Sequence, residues 1–211
     1  QKKWISLGLM SGTSGDGVDA SIIKTNGVNQ YELIKDEYFE YNSEIYQDIH
    51  NLKEKIRKID HLTTYSKEID NLERKITIFH AEIIKKLNIS DETIVGFHGQ
   101  TIYHNPKEKI SRQLGNGKLL NQLCNKSIVY NFRGNDILNG GQGAPLTPIF
   151  HHLVSIQKKI RLPVCFLNIG GISNITIVKE NNNLYELISK DIGPGNCLID
   201  NWVRINSNKK F

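Results

Sequence analysis

Cysteine is scarce: Cys124, Cys165 and Cys197 are scattered over 211 residues. No paired spacing marks a zinc site or a redox motif, and an odd count argues against a disulfide framework, so each reads as a small buried hydrophobe. Long apolar runs are missing too, and none approaches the ~20 residues needed to cross a bilayer. The opening QKKWISLGLM sets two basic residues before apolar ones in the manner of a secretory leader, but glycines and Asp16 interrupt it too soon. The reading is a cytoplasmic protein without a membrane partner. A basic stripe interleaved with aromatics is also lacking. The formal charge of +5 comes from lysines mixed with acids, as in NLKEKIRKID and EIDNLERK, which fits a solvated helix face and argues against a nucleic-acid partner. The length allows one large domain or two small ones with a substantial core.

Glycine is plentiful, and it is clustered. GLMSGTSGDGVDAS, residues 8–21, places four glycines among Ser, Thr and Asp directly after the apolar run WISLGL. Small residues let backbone N–H groups approach an anion, and hydroxyls add donors, so the turn reads as a phosphate cradle. Residues 3–9 and 18–25 flank it as a hairpin, and 31–41 alternate as a third strand. From about Glu44 to Asn88 the period becomes helical, with Ile69, Leu72, Ile76, Phe79, Ile83 and Leu87 forming one stripe. A strand from Thr93 to Phe97 is expected to break at Gly99, and 127–132 to run into the loop RGNDILNGGQGAPLTP. PLTPIFHHLVSIQKK reads as a helix with Pro in its first turn. The last quarter repeats the opening in outline: strand VCFLNIG, a glycine turn, strand ITIVKE, strand YELISKDI, and a helix after GPGN. Two such units predict two half-sites facing one polyphosphate across a cleft. Neither is followed by the Gly-Lys-Ser/Thr of a Walker loop, and a strand rather than a Rossmann helix follows each turn.

Paired phosphate hairpins of this kind resemble those of the actin, hexokinase and Hsp70 superfamily. Within it, GLMSGTSGDGVDA, GFHGQTIYHNP, GGQGAPLTPIFH, NIGGISNIT and DIGPGNCLID, in this order over residues 8–200, resemble the anhydro-N-acetylmuramic acid kinases. The resemblance implies an α/β, actin-like (ribonuclease H-like) ATPase fold, with a first domain over 1–145 carrying the hairpin 8–21. Residues 146–211 would hold a linking helix and the start of a second domain with the hairpin 164–180, truncated before the adenosine-binding loop. The implied reaction uses ATP and Mg2+ to phosphorylate the 6-oxygen of 1,6-anhydro-N-acetylmuramate while water opens the anhydro ring, in cell-wall recycling. The alternative is an inactive truncated remnant or interaction module, or one half of a split kinase; the partner expected is a second copy in a homodimer or a separate C-terminal half.

The resemblance puts the general base on Asp136, and a carboxylate at a strand exit beside glycines suits that task. It assigns ATP to Gly12, Thr13, Ser14, Gly15, Asp16, Gly17, Val18 and Asp19, and to Asn168, Gly170 and Gly171 in the second hairpin. Asp16 reads as a magnesium or water partner and Asp19 as a hairpin anchor, the alternative being that both only stabilise the turn. His98 and Gln100 in FHGQT suit sugar hydroxyl or lactyl contacts, against a structural histidine. Arg133 suits the substrate carboxylate, against a salt bridge holding the loop. Gly193, Gly195 and Asn196 precede a helix whose N-terminal N–H groups are expected to face the sugar or the transferred phosphate. Four positions depart from the family pattern: Gly15 replaces a bulky apolar residue, predicting a looser turn, Phe97 replaces Ser, and Asn116 and Asn131 replace Asp.

Overall fold

Alternation in the first strand decides the start of the fold. In β1 (Trp4–Ser11) the side chains of Leu7, Leu9 and Ser11 point to the core while Gly8 and Met10 face out. The strand β2 (Gly17–Thr25) returns antiparallel with Leu7 opposite Ile22 and Met10 opposite Asp19, burying Val18, Ala20 and Ile22. β3 (Tyr31–Glu40) adds the outer strand. The computed structural model describes residues 2–181 and 184–207, and the chain divides into two units, Gln1–Ala144 and Pro145–Phe211.

The helical stretch of the first unit is three helices. α1 (Ser43–Lys55) starts where the Asn42 side chain accepts the Ile45 N–H at 2.9 Å, a standard N-cap. α2 (Asp60–Thr64) is a short link. α3 (Ser66–Leu87) ends at Asn88 in the left-handed conformation, with φ 48°. Its buried face carries Ile69, Leu72, Ile76 and Ile83 as the spacing predicts. His80 and Ile84 are buried beside them, while Phe79 and Leu87 sit at the core's edge.

β4 (Ile94–Asn105) does not break at Gly99. Its first half pairs in parallel with β1 and with β6 (Ser127–Tyr130), its second half antiparallel with β5 (Ile110–Leu114). Gly99 lies at the changeover with φ 71°, and a side chain there would run into the Leu114 backbone, so the glycine bends one long strand. The resulting order is β3-β2-β1-β4-β5, with β6 also on β4. α4 (Gly117–Cys124) precedes β6 and goes unrecognised in the sequence.

The stretch expected to be a loop after β6 is half helix. Asn131, at φ 61°, reverses the chain, and α5 (Phe132–Leu138) follows with Ile137 buried. Only residues 139–147 are irregular.

In the second unit, α6 (Pro148–Gln157) begins on Pro148, as the sequence predicts. It lies against β8 (Ile172–Asn181) and β9 (Leu184–Pro194) of a three-stranded antiparallel sheet ordered β7-β8-β9, where β7 is Val164–Ile169. His151 stacks on Phe166 with ring centroids 4.7 Å apart. Cys165, expected to be buried, is exposed because it alternates to the face of β7 opposite Phe166. α7 (Cys197–Asn206) ends the described chain. Among the described residues, no helix is long and apolar enough to cross a membrane.

Candidate functional site

The β1–β2 turn is held from several sides. Ser11 is buried, its hydroxyl donating to the Gly17 carbonyl at 2.8 Å and lying 2.6 Å from the Tyr41 hydroxyl. Tyr41 is buried too, which pushes its phenol far above the usual range, and its backbone N–H donates to the Asp16 carbonyl at 2.8 Å. The Gly12 carbonyl accepts from the Gly15 N–H at 3.2 Å and from Gln100 Nε2 at 2.9 Å. Lys53 Nζ donates to the Thr13 carbonyl at 2.6 Å. The Ser14 hydroxyl donates to Asp16 Oδ1 at 2.5 Å.

These contacts sort the expected nucleotide residues. Gly12 to Asp16 form the turn, Asp19 is exposed on β2 beside it, and Gly17 is packed against Phe39 and Tyr38 behind it. Val18 is fully buried, backbone included, and pairs with Phe39 of β3, so it supports the turn from behind. Gln100, expected on the sugar, is also fully buried and spends its amide nitrogen on the turn. Burial and then the nearby Asp16 charge raise the Asp19 carboxyl above its ordinary value. Burial, with the charges of Asp16, Glu40 and Asp19, pushes the Tyr38 phenol up to about 12. A cation would relieve this repulsion. Among the described residues no three His, Cys, Asp or Glu side chains gather as a metal cluster. A largely hydrated Mg2+ bound partly by phosphates needs only one or two carboxylates, so Asp16 with Asp19 fits it.

Gly15 is not a loosening residue. Its φ is 69°, and a Cβ there would lie 2.8 Å from Ile49 Cγ2, so the left-handed turn seats itself against α1 through the missing side chain. Gly15→Ala is expected to cost about 2 kcal/mol, from left-handed strain plus the displaced Ile49. A urea midpoint equal to wild type would reject this account of the turn.

A second cluster forms where β6 ends beside the middle of β4. His98 Nδ1 lies 2.7 Å from the Gly99 carbonyl, and Nε2 accepts the Arg133 Nε–H at 2.9 Å. That pattern fixes a neutral ring with the proton on Nδ1. Burial and the Arg133 charge hold the ring down at about 4. Arg133 and Asp136 lie one turn apart on α5, and both reach Gly143: Arg133 Nη1 donates to its carbonyl at 3.4 Å, and its N–H donates to Asp136 Oδ2 at 2.7 Å. Asp136 therefore stands on a helix, with its carboxylate folded against the 139–143 loop, rather than on a strand-exit loop. Gly141 passes so close to this carboxylate that any side chain there would strike it.

In the second unit the Gly170 and Gly171 turn joins β7 to β8, with Asn168 exposed at its start. The N–H groups before α7 do not point to open space. Those of Gly195 and Cys197 donate to the Gly171 carbonyl at 3.0 and 3.3 Å, that of Asn196 to the Gly170 carbonyl at 2.7 Å, and Asn196 Nδ2 to the Ile169 carbonyl at 3.1 Å. This corrects the expectation that they face a sugar or phosphate: they clamp the glycine turn. Gly193 has φ 150°, and a Cβ added there would meet open space.

The family model described as anhydro-N-acetylmuramic acid kinase matches residues 4–211. The chain belongs to this family. It is 58% identical over 215 residues to the anhydro-N-acetylmuramic acid kinase of Pelagibacter ubique (strain HTCC1062), covering 100% of this chain and 57% of that protein. The proteins of the same name from Agrobacterium fabrum and Gluconobacter oxydans are 36% and 37% identical, over 98% and 93% of this chain and 57% and 55% of their own length. The chain thus spans little more than half the length of these curated relatives.

The other departures from the family pattern leave the local structure intact. Phe97 is buried and packs edge-on against His80, with ring centroids 4.8 Å apart, and under Gly115, so it fills the core. Asn116 Oδ1 caps α4 by accepting the Leu119 N–H at 2.9 Å, as Asp would. Asn131 occupies a left-handed position that Asn tolerates well. Sequence reasoning missed Lys53, Tyr41 and Gly143. The first lies within a charged run, and all three act through contacts distant in sequence or in a region read as a loop.

Proposed function

We propose that this chain carries the phosphate turn and general base of an ATP-dependent sugar kinase with an actin-like, ribonuclease H-like fold. It converts 1,6-anhydro-N-acetylmuramate and water to N-acetylmuramate 6-phosphate in cell-wall recycling in the cytoplasm. The first unit corresponds to the first domain and the second unit to the start of the second. The observation that carries the reading is Asp136, whose carboxylate is oriented by the Gly143 N–H one helical turn from Arg133. Membership of the kinase family supports it.

In this reading Asp136 takes a proton from water as the water oxygen attacks the anomeric carbon. The bond from that carbon to the bridging oxygen breaks, and the released 6-oxygen accepts the γ-phosphoryl group of ATP as its bond to the β-phosphate oxygen breaks and ADP leaves. Arg133, held by neutral His98, binds the lactyl carboxylate in this reading. The turn from Gly12 to Asp16, and Asn168, Gly170 and Gly171, offer donors to phosphate. The N–H groups of Gly195 and Asn196 hold the second turn, and Gly193, beside open space, is left for the sugar. Mg2+, held by Asp16 with Asp19, would supply charge neutralisation at the phosphates.

A second reading, in which another polypeptide segment completes the enzyme, draws on the apolar surface of the second unit. Leu198, Ile199, Trp202 and Ile205 are all exposed on α7. ADP release is measured with the 211-residue chain, the anhydro sugar, ATP and Mg2+, and again with the remaining portion of a relative supplied as a separate polypeptide. Turnover in the first mixture supports the kinase directly, turnover only in the second supports the completed form, and silence in both rejects the kinase reading.

A further inference from the structure

In a trans peptide the carbonyl of one residue and the N–H of the next point in opposite directions. Among the described residues the only cis bond is Leu162–Pro163, so the peptides joining Gly12 to Thr13 and Thr13 to Ser14 are trans. Their carbonyls are gripped by side chains from elsewhere: Gly12 by Gln100 Nε2 on β4 and Thr13 by Lys53 Nζ on α1. Each grip turns the following N–H, that of Thr13 and of Ser14, away from the gripping side chain.

Closing the hairpin does not require these two grips, since the Gly15 N–H already bridges to Gly12, and Ser11 to Gly17. Gln100 carries a cost besides: its Oε1 is buried without a partner. That oxygen lies toward Gly15, 3.8 Å from where a Cβ would stand, on the side where Lys53 Nζ also reaches, 3.4 Å from the same point. An apolar residue would fill the core without this penalty, so what Gln100 contributes is its amide nitrogen on the turn.

We propose that Gln100 and Lys53 are positioning residues that aim the consecutive N–H groups of Thr13 and Ser14 at a polyphosphate. Gln100 sets the first peptide plane and Lys53 the second, adding a positive charge beside the anion. Two adjacent N–H groups turned the same way form the concave anion site known as a nest. The inference rests on the nucleotide reading of this turn and moves Gln100 from the sugar to the phosphates.

The test uses the 15N-labelled 211-residue chain and inorganic triphosphate with Mg2+. Residual dipolar couplings report the Thr13 and Ser14 N–H directions without ligand, and amide shifts on titration report binding. Gln100→Met and Lys53→Met are each expected to reorient these two N–H vectors and to weaken triphosphate about five- to tenfold, the equivalent of one hydrogen bond. Lys53→Arg is expected to restore binding to within about twofold. A merely structural role would lower thermal stability and leave the two vectors in place. Variants that bind like wild type, or keep the wild-type vectors, overturn the inference alone. A wild-type chain that ignores triphosphate overturns the nucleotide reading and the inference with it. If Gln100→Met does not fold, Lys53→Met decides, since Lys53 is only half-buried where it reaches the turn.

Discussion

Asp136→Asn is expected to lower turnover about a thousandfold while leaving the affinity for the anhydro sugar within a factor of about three. The magnitude is that of removing a general base. The structure gives this substitution an unusual selectivity. Asp136 Oδ2 accepts the Gly143 N–H, and the amide oxygen of Asn accepts the same hydrogen bond, so the 139–143 loop keeps its place. What is lost is the basic lone pair that, in the proposed reaction, takes the proton from water. Asp136→Ala provides the contrast. It removes the acceptor as well, leaves the Gly143 N–H without this partner and opens space beside Gly141, so it is expected to weaken sugar binding besides abolishing turnover. ADP release and calorimetric titration with the sugar separate the two, in the chain alone or in whichever completed form turns over. An Asn variant retaining a tenth of wild-type turnover would remove Asp136 from the role of base.

Legibility in the sequence followed the range of the interactions. Both glycine hairpins could be read because alternating apolar residues flank a run that only a turn accommodates, and α3 because Ile69, Leu72, Ile76 and Ile83 keep a helical period over many turns. The bend in β4 could not, because Gly99 in a strand looks the same whether the strand stops or changes partner, and the answer lies in β5, which follows later in the chain. α5 was hidden by composition. Gly134 and Asn135 lower its intrinsic propensity, and it persists because Asn131 turns the chain and Ile137 is buried. In the candidate site, Asp136, Arg133 and His98 were picked out by residue type and motif. Their mutual hydrogen bonds were not, since His98 and Arg133 are 35 residues apart. The grips on the first turn span 88 residues for Gln100 and 40 for Lys53, distances at which a local pattern carries no information.

Acid is expected to unfold the first unit well before its carboxylates titrate in bulk. His80 is fully buried among Phe97, Phe79 and Tyr41, its Nδ1 lies 2.8 Å from the Ile76 carbonyl, and its Nε2 has no partner. Burial first, with a contribution from nearby His98, holds it down at about 4 from an ordinary 6.5. Burial and Arg133 hold His98 at about 4 as well. A histidine kept neutral by the fold takes up its proton more readily when unfolded, so the unfolded state binds more protons below 6.5 and stability falls as pH drops from there toward 4. At pH 5 each histidine contributes about 2 kcal/mol of lost stability relative to pH 8, and the pair about 4, a large share of what a domain possesses. The raised Asp19 carboxyl acts in the opposite sense, but it is exposed on β2. The measurement is the urea midpoint at pH 8 and pH 5, followed by Trp4 fluorescence in a Trp202→Phe background so that only the first unit reports. His98→Gln keeps an acceptor for Arg133 without a titrating group, and His80→Leu removes the other buried ring. Each is expected to take away about half of the pH-dependent loss, and the double variant nearly all of it. Single variants with the full wild-type loss at pH 5 would show that the acid sensitivity arises elsewhere in the chain.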